Sequence, residues 1–557
     1  VKDYKEITDL VIKELGFDFS ASFEEPKNLV NGDISTNLAM KNARIVKTSP
    51  QELARRVVER MNEHDLSLYN ILDVTIAGPG FINYKLSNKH FHDLLKRVLD
   101  KAEGYGRNEI GKGKTVNVEY VSANPTGPLH MGHGRNAAMG DSIANLYEWN
   151  GYSVTKEYYF NNAGNQMNNL GKSIYSRYAQ LVHDPDFPFP EDGYHGSYIK
   201  DIANEIIENH GNSFVDSFKS LDDLSVEDLE RFREIGEKWN FKGIKKTLTS
   251  LGIEQDVFYN EDSLYKEGKI EAVIDTLRQK ELAYDKDDAV WLRLSEMGQD
   301  QDRVIVKKTG EPTYRLPDIA YHIEKFERGF DIIVDVFGSD HIATIPDVMS
   351  AVSNLGYDTD KIIVVIHQFV TLTQEGQQVK MSKRSGQSYT LDEIIQEVGP
   401  EVTRFFLLMR SGGTHLEFDI ALAKEQSDKN PVFYLQYAHA RICSIFTQLK
   451  EKGLHLDTTD VNSIKFSCLE HPSEINLIRE IAKFEYVVES SASKAEPHIV
   501  ADYLRDVAGK FHSFYHDCRI IGQEEELAIA RLSLAEATRT VLKNGLAILG
   551  ISAPEKM

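Results

Sequence analysis

Apolar and polar residues change their period several times along this chain, and each change predicts an element. Residues 115–121 alternate, with Val116, Val118 and Tyr120 set against Asn117 and Glu119, the pattern of a strand. Asn124-Pro-Thr-Gly-Pro128 can continue neither strand nor helix, so a turn follows. From Gly132 the apolar residues fall at helical spacing through Ala137, Ala138, Ile143, Ala144, Leu146 and Tyr147, ending near Asn150-Gly151. Residues 154–160 read as the next strand, which completes a βαβ unit. Further on, 331–337 and 361–366 are apolar, β-branched strand candidates followed by turn or helix signals. The natural solution is α/β: a Rossmann-like doubly wound parallel sheet, with ligand at the carboxyl ends of its strands.

The flanks have other periods. Residues 1–110 carry two helical patterns (7–15 and 50–61) and strands around 74–76 and 81–86, which predicts an N-terminal α+β module; residues 104–113 read as its linker. Residues 161–300 are rich in helical pattern, with small strands near 289–294, and read as a helical insertion into the core, 111–429. From Pro431, Tyr434, Tyr437, Ala438, Ile442, Ile445, Phe446 and Leu449 recur at helical spacing, and 500–507 and the stretch from 532 repeat the habit. Residues 430–557 therefore predict an α-helical bundle.

Composition narrows the class without deciding it. At 557 residues and 41% apolar content the chain can bury several cores. No apolar run approaches the roughly 18 residues that span a bilayer, and Val1-Lys-Asp-Tyr-Lys lacks the apolar core of a signal peptide, so a cytoplasmic protein without membrane contact is expected. Cys443, Cys468 and Cys518 are too few and too scattered for a zinc site or a disulfide framework, and no bound structural metal is expected. No heptad run is visible, which favours a monomer. The net charge of −22 is divided as −1 over residues 1–110, −18 over 111–429 and −3 over 430–557. The nearly neutral flanks leave room for local basic faces, such as Lys41, Arg44, Lys47, Arg55, Arg56 and Arg60.

The chemistry concentrates in two short motifs. Leu129-His130-Met-Gly-His133 places two imidazoles around a glycine at the strand-to-helix turn, an arrangement that composition supplies by chance only ~0.04 times. A helix N-terminus attracts phosphate, Gly132 and Gly134 permit close approach, and His130 and His133 can donate hydrogen bonds as charge develops. One such histidine is ordinarily a solvated turn residue; the pair in this setting is not. Lys380-Met381-Ser-Lys383-Arg384 sets three cations in five residues within a polar loop, a clamp for polyphosphate. Asp318 stands among Leu316, Pro317, Ile319 and Ala320, apolar surroundings that argue against an ordinary surface carboxylate. Glu119, on an alternating strand, departs from that reading less clearly.

Together the two motifs closely resemble the signatures of class I aminoacyl-tRNA synthetases, with Arg384 standing where serine is most common. Several segments resemble the arginyl-tRNA synthetases in particular, nearly end to end. They include Gly32-Asp-Ile-Ser-Thr-Asn-Leu-Ala-Met40, Ala77-Gly-Pro-Gly-Phe-Ile-Asn83, Glu119-Tyr-Val-Ser-Ala-Asn124, Tyr314-Arg-Leu-Pro-Asp-Ile-Ala320, Gly338-Ser-Asp-His341, Asn430-Pro-Val-Phe-Tyr-Leu-Gln-Tyr-Ala-His-Ala-Arg441 and Leu549-Gly-Ile-Ser-Ala-Pro-Glu-Lys-Met557. The resemblance implies activation of L-arginine with Mg-ATP and transfer to tRNA(Arg), with tRNA bound before activation. It implies catalytic His130, His133, Lys380 and Lys383; ATP contacts at His130, Gly132, His133, Gly338, Asp340, His341, Met381 and Lys383; and arginine contacts at Glu119, Ser122, Asn124, Tyr314, Asp318 and Asp340. It further implies anticodon contacts from the helical bundle and contact of the N-terminal module with the tRNA elbow. A planar guanidinium with five donors demands a carboxylate that can accept a paired hydrogen bond, which suits Asp318 on chemical grounds alone. Two alternatives stand beside this reading: a nucleotidylyl transferase acting on a free metabolite, and a catalytically silent, synthetase-like RNA-binding protein.

Overall fold

The computed structural model describes residues 3–26, 28–215, 218–379, 389–451 and 460–557. Its centre is a five-stranded, wholly parallel sheet of β1 (Thr115–Glu119), β2 (Ser153–Phe160), β3 (Val257–Asn260), β4 (Ile332–Gly338) and β5 (Ile362–His367), in the spatial order β5-β4-β1-β2-β3. The chain leaves β1 toward β2 on one side, and the later strands β4 and β5 are laid on its other side. The carboxyl ends of β1 and β4 therefore flank the switch point at which doubly wound sheets bind ligands. Helix α1 (Met131–Trp149) makes the β1-to-β2 crossover and is buried along nearly its whole length. Helix α2 (Arg315–Glu327) precedes β4.

The 161–300 stretch is not one insertion. Helices Gly164–Val182, Ser197–His210 and Val226–Ser250 form a lobe with its own apolar core around Ile174, Tyr178, Ile202 and Phe232. The chain then returns to contribute β3, and leaves again for helix Lys269–Gln279 and a small antiparallel sheet of Ala283–Lys286, Ala289–Leu292 and Arg303–Val306. Four residues of Val-Phe-Tyr-Asn carry too little periodicity to announce a strand of the central sheet.

The N-terminal unit is a four-stranded antiparallel sheet packed on helices Tyr4–Glu14 and Pro50–Met61. Helix Asn88–Lys101, absent from the sequence reading, packs against Pro472–Ile481 and Glu525–Ile548 of the C-terminal bundle. The stretch read as a linker is itself anchored: Tyr105 is buried and donates from its hydroxyl to the carbonyl of Ala482 at 3.0 Å. The bundle comprises Pro431–Glu451, Pro472–Ile481, Phe484–Lys494, His498–Asp517 and Glu525–Ile548. Among the described residues no helix is long and apolar enough to cross a membrane.

Candidate active site

The site begins where β1 ends. Tyr120 is still in line, but Val121 and Ser122 take φ of 70° and 42°, a conformation that a β-branched residue adopts only under constraint. Asn136 of α1 supplies the constraint: its Oδ1 accepts from the Val121 amide at 2.7 Å, and its Nδ2 donates to the carbonyl of Val336 on β4 at 2.7 Å. The turn thus locks β1, α1 and β4 to one another. Beyond it, Asn124 accepts from the Asn161 amide at 3.0 Å and donates to Gln166 Oε1 at 2.9 Å, tying the turn to the lobe that follows β2.

His130 is the N-cap of α1. Its Nδ1 accepts from the amides of Gly132 (3.1 Å) and His133 (3.3 Å), while His133 Nδ1 accepts from the His130 amide (3.3 Å). Each ring is therefore a neutral tautomer with its hydrogen on Nε2. The rings stack with centroids 3.6 Å apart. Burial, and then the neighbouring His130 and His367, hold His133 down to about 3, so it stays neutral across the physiological range. This modifies the sequence expectation of an open helix end: the amides of Gly132 and His133 are occupied by the His130 ring, and the helix presents imidazole N–H groups in their place.

Two further elements converge here. At the end of β4, Gly338 is followed by the 3₁₀ turn Ser339–His341, and a Cβ at Gly338 would collide with the Asp340 carboxylate. Asp340 and His341 are both exposed, with His341 stacked on Phe337 at 5.2 Å. Beside Gly338 in register on β5 lies His367, buried and held down to about 4 by desolvation. Lys380, Met381 and Lys383 lie outside the described residues. Just after them, Thr390 forms a bridge to His130 and the Leu391 amide donates to the carbonyl of Leu129 at 2.8 Å.

Three carboxylates, Asp318, Glu119 and Glu261, lie within electrostatic reach of one another near the end of β1. Asp318, in the first turn of α2, is raised to about 7, mainly by burial; Glu119 and Glu261 raise it further, whereas His322 and Lys325 oppose the rise. Glu119 is buried, not a surface acid: it accepts from Lys325 Nζ at 2.5 Å and from Ser122 Oγ at 2.8 Å. Glu261 accepts from the Tyr159 hydroxyl and Asn161 Nδ2, each at 2.7 Å, and its burial raises it also. Tyr314, by contrast, is 78% exposed, at the N-cap of α2 one turn before Asp318. The sequence reading included Tyr314 among the pocket groups and missed Glu261, Asn136, His367 and Lys325. Lys325 alone had a signal, since it follows Asp318 by two helical turns on one face of α2.

Two of the six cations of the predicted basic face near the N-terminus are paired with acids, and Lys41 donates to Ser22 Oγ at 2.9 Å. Arg55 pairs with Glu52 at 2.7 Å and Glu59 at 2.6 Å, Arg60 pairs with Glu14 at 2.7 Å and with Glu63, and Arg56 lies over the Phe17 ring.

A parallel sheet with a His-x-Gly-His turn at its switch point and a cluster of carboxylates near the end of β1 defines the class I aminoacyl-tRNA synthetase fold. Residues 94–405 match the family of class I (R) tRNA synthetase catalytic domains. Residues 4–86 match the arginyl tRNA synthetase N-terminal domain and residues 435–557 the DALR anticodon binding domain. The chain belongs to the arginyl-tRNA synthetase family. It is 47% identical to the arginine–tRNA ligase of Salinibacter ruber over 97% of this chain and 96% of that protein. It is 48% identical to that of Desulfotalea psychrophila, over 96% and 94%. The crystal structure of a putative arginyl tRNA synthetase from Campylobacter jejuni superposes with a TM-score of 0.76 at 30% identity, covering 85% of this chain and 100% of that one. The Thermus thermophilus arginyl-tRNA synthetase shares the fold with a TM-score of 0.75 at 21% identity, covering 99% of each.

Proposed function

We propose that this chain activates L-arginine with Mg-ATP, releasing pyrophosphate, and transfers arginine from the adenylate to the 3′ end of its cognate tRNA. The observation that carries the reading is the combination on one Rossmann fold of two stacked imidazoles, His130 and His133, at the first turn of α1 with Asp318, a carboxylate raised to about 7 by burial and by Glu119 and Glu261. A cationic side chain at this carboxylate supplies the charge that Asp318 lacks. The arginine carboxylate attacks the α-phosphate in line, and as charge moves to the departing pyrophosphate, His130 and His133 donate from Nε2 and Lys380 and Lys383 add positive charge. The pairing of Thr390 with His130 supports this role for the lysines, because Thr390 follows Lys383 by only seven residues. No protein nucleophile takes part. Gly132, Gly338, Asp340, His341 and Met381 complete the ATP site; Glu119, Ser122, Asn124, Tyr314, Asp318 and Asp340 complete the arginine site.

The same reading divides the chain into an N-terminal tRNA-binding module (1–110), a catalytic domain (111–429) and an anticodon-binding bundle (430–557), acting as a cytoplasmic monomer. In the bundle, Tyr437 is exposed, with Phe433 stacked near it and Arg441 over its ring, a surface suited to base stacking. Neither a nucleotidylyl transferase nor a silent RNA-binding protein requires relatives of one activity that match the chain at both ends.

Arginine-dependent ATP–pyrophosphate exchange, run with and without tRNA and across all amino acids, tests the function. Exchange with another amino acid only, or none at all, would refute it. The imidazole role has its own test in His130→Asn, since asparagine keeps the N-cap but lacks the Nε2 donor. The expected result is a melting temperature within a few degrees of the parent and an exchange rate lower by about 10²-fold.

A further inference from the structure

Beneath the pocket three carboxylates stand in one row across the central sheet. Glu157 on β2, Glu119 on β1 and Asp335 on β4 are neighbours in parallel register, and all three are buried. Like charges so placed repel one another, and helix α2 lays Lys325 over them, with Arg328 just past its end. Arg328 grips Glu157 with two hydrogen bonds, at 2.6 and 2.8 Å. Lys325, with no exposed surface, bridges the other two: its Nζ donates to Glu119 Oε2 at 2.5 Å and to Asp335 Oδ1 at 2.6 Å, and lies 4.4 Å from the centre of the Tyr321 ring.

From Lys325 two chains of contacts reach the pocket. On one side, the second oxygen of Glu119 accepts from Ser122 Oγ at 2.8 Å, and Ser122 Oγ accepts from the Tyr159 amide at 3.2 Å. This secures the strained turn. On the other side, the second oxygen of Asp335 meets His322 Nε2 at 3.0 Å, while His322 Nδ1 meets the carbonyl of Asp318 at 2.7 Å. A buried ion triad of this kind contributes little net stability relative to apolar packing, so its physical consequence lies in what it holds. Glu119 and Glu261 both act electrostatically on Asp318, and Lys325 fixes the Glu119 carboxylate among them.

We propose that Lys325 is a positioning residue for arginine: it holds the Glu119 carboxylate against the turn at Ser122, so that this side of the arginine site keeps one geometry. This rests on the arginine pocket proposed above. It predicts that Lys325 acts on arginine through Glu119, and that its bond to Asp335 is dispensable.

Two variants separate the arms. Asp335→Asn keeps the Lys325–Glu119 pair, whereas Lys325→Met/Asp335→Asn removes it without leaving Asp335 charged and unpaired. The expected result in steady-state exchange assays is an arginine KM within about threefold of the parent for D335N and at least about tenfold higher for the double variant, with the ATP KM of both within about twofold. Equal arginine KM values in the two variants, or an ATP KM that rises together with the arginine KM, would overturn the proposal. If the double variant does not fold, Lys325→Met/Glu119→Gln removes the pair as a neutral unit; an arginine KM unchanged there would overturn it equally. Asp318→Asn separates a failure of the pocket from a failure of Lys325. If it leaves the arginine KM unchanged, the pocket assignment itself is wrong; if it cripples arginine use while the Lys325 variants behave alike, only the role of Lys325 fails.

Discussion

At the residue scale the chemistry is set by what each charged group finds within a few ångströms. Burial and the neighbouring Glu119 and Glu261 raise Asp318, so without arginine it binds a proton up to about pH 7. Arginine requires the ionised form, so binding near pH 6.5 expels a proton. Calorimetry in buffers of differing ionisation enthalpy measures the number released, which falls to near zero in Asp318→Asn. Below pH 7 the arginine KM rises, approaching tenfold per pH unit, while the ATP KM does not follow. The sign for stability is the reverse of a salt-bridged carboxylate: the folded value is raised, so the arginine-free protein gains stability as pH falls from above 7 toward the ordinary carboxylate range. Asp318 was legible as a candidate because its neighbours in sequence are apolar. Glu261 was not, because a lone glutamate in a chain with 27% charged residues has no local mark of burial, and Lys325 was marked only by its place two helical turns after Asp318.

At the element scale α1 is the hub. Its first turn bears an imidazole and is capped by the other, its middle carries Asn136 against β4, and its buried back carries Asp141, which is paired with Arg404 and with Lys156 at 3.0 Å. Arg404 also donates to two carbonyls: that of Leu251 at 3.0 Å, at the end of helix Val226–Ser250, and that of Leu549 at 2.5 Å, just past the last helix of the bundle. Gly550, with φ of 68°, lies so close that a Cβ would strike the Arg404 guanidinium. Gly550→Ala should therefore lower stability by about 1 kcal/mol for the left-handed conformation and more for the displaced guanidinium. Equilibrium denaturation reads this directly, and a variant as stable as the parent would show that the bundle does not depend on this docking. The long helices were legible from their 3.6-residue period, Pro50–Met61 to the residue. Strand β3 was not, since it is too short for a period, whereas helix Asn88–Lys101 carries Phe91, Leu95 and Val98 at helical spacing and could have been found.

At the scale of the whole molecule, a chain of net charge −22 is to hold a polyanion through flanks that are almost neutral. Pairing of Arg55 and Arg60 with nearby acids leaves few uncompensated cations on helix Pro50–Met61, so tRNA binding should rest on a small number of phosphate contacts together with shape. Filter binding between about 50 and 200 mM salt should show a log-linear loss of affinity on the order of 10²-fold, less than a strongly basic binder loses. A salt-independent affinity would contradict the charge argument. By itself the sequence determined the periodic elements, the parallel core, the His-x-Gly-His turn and one carboxylate in apolar surroundings, because each of these is written within a few residues of chain. The tertiary structure alone decided the ring tautomers, the occupied helix end, the exposed Tyr314 and the row of Glu157, Glu119 and Asp335 beneath Lys325. Those depend on strands and helices that are far apart in sequence, and charge acts across space irrespective of the path the chain takes between its ends.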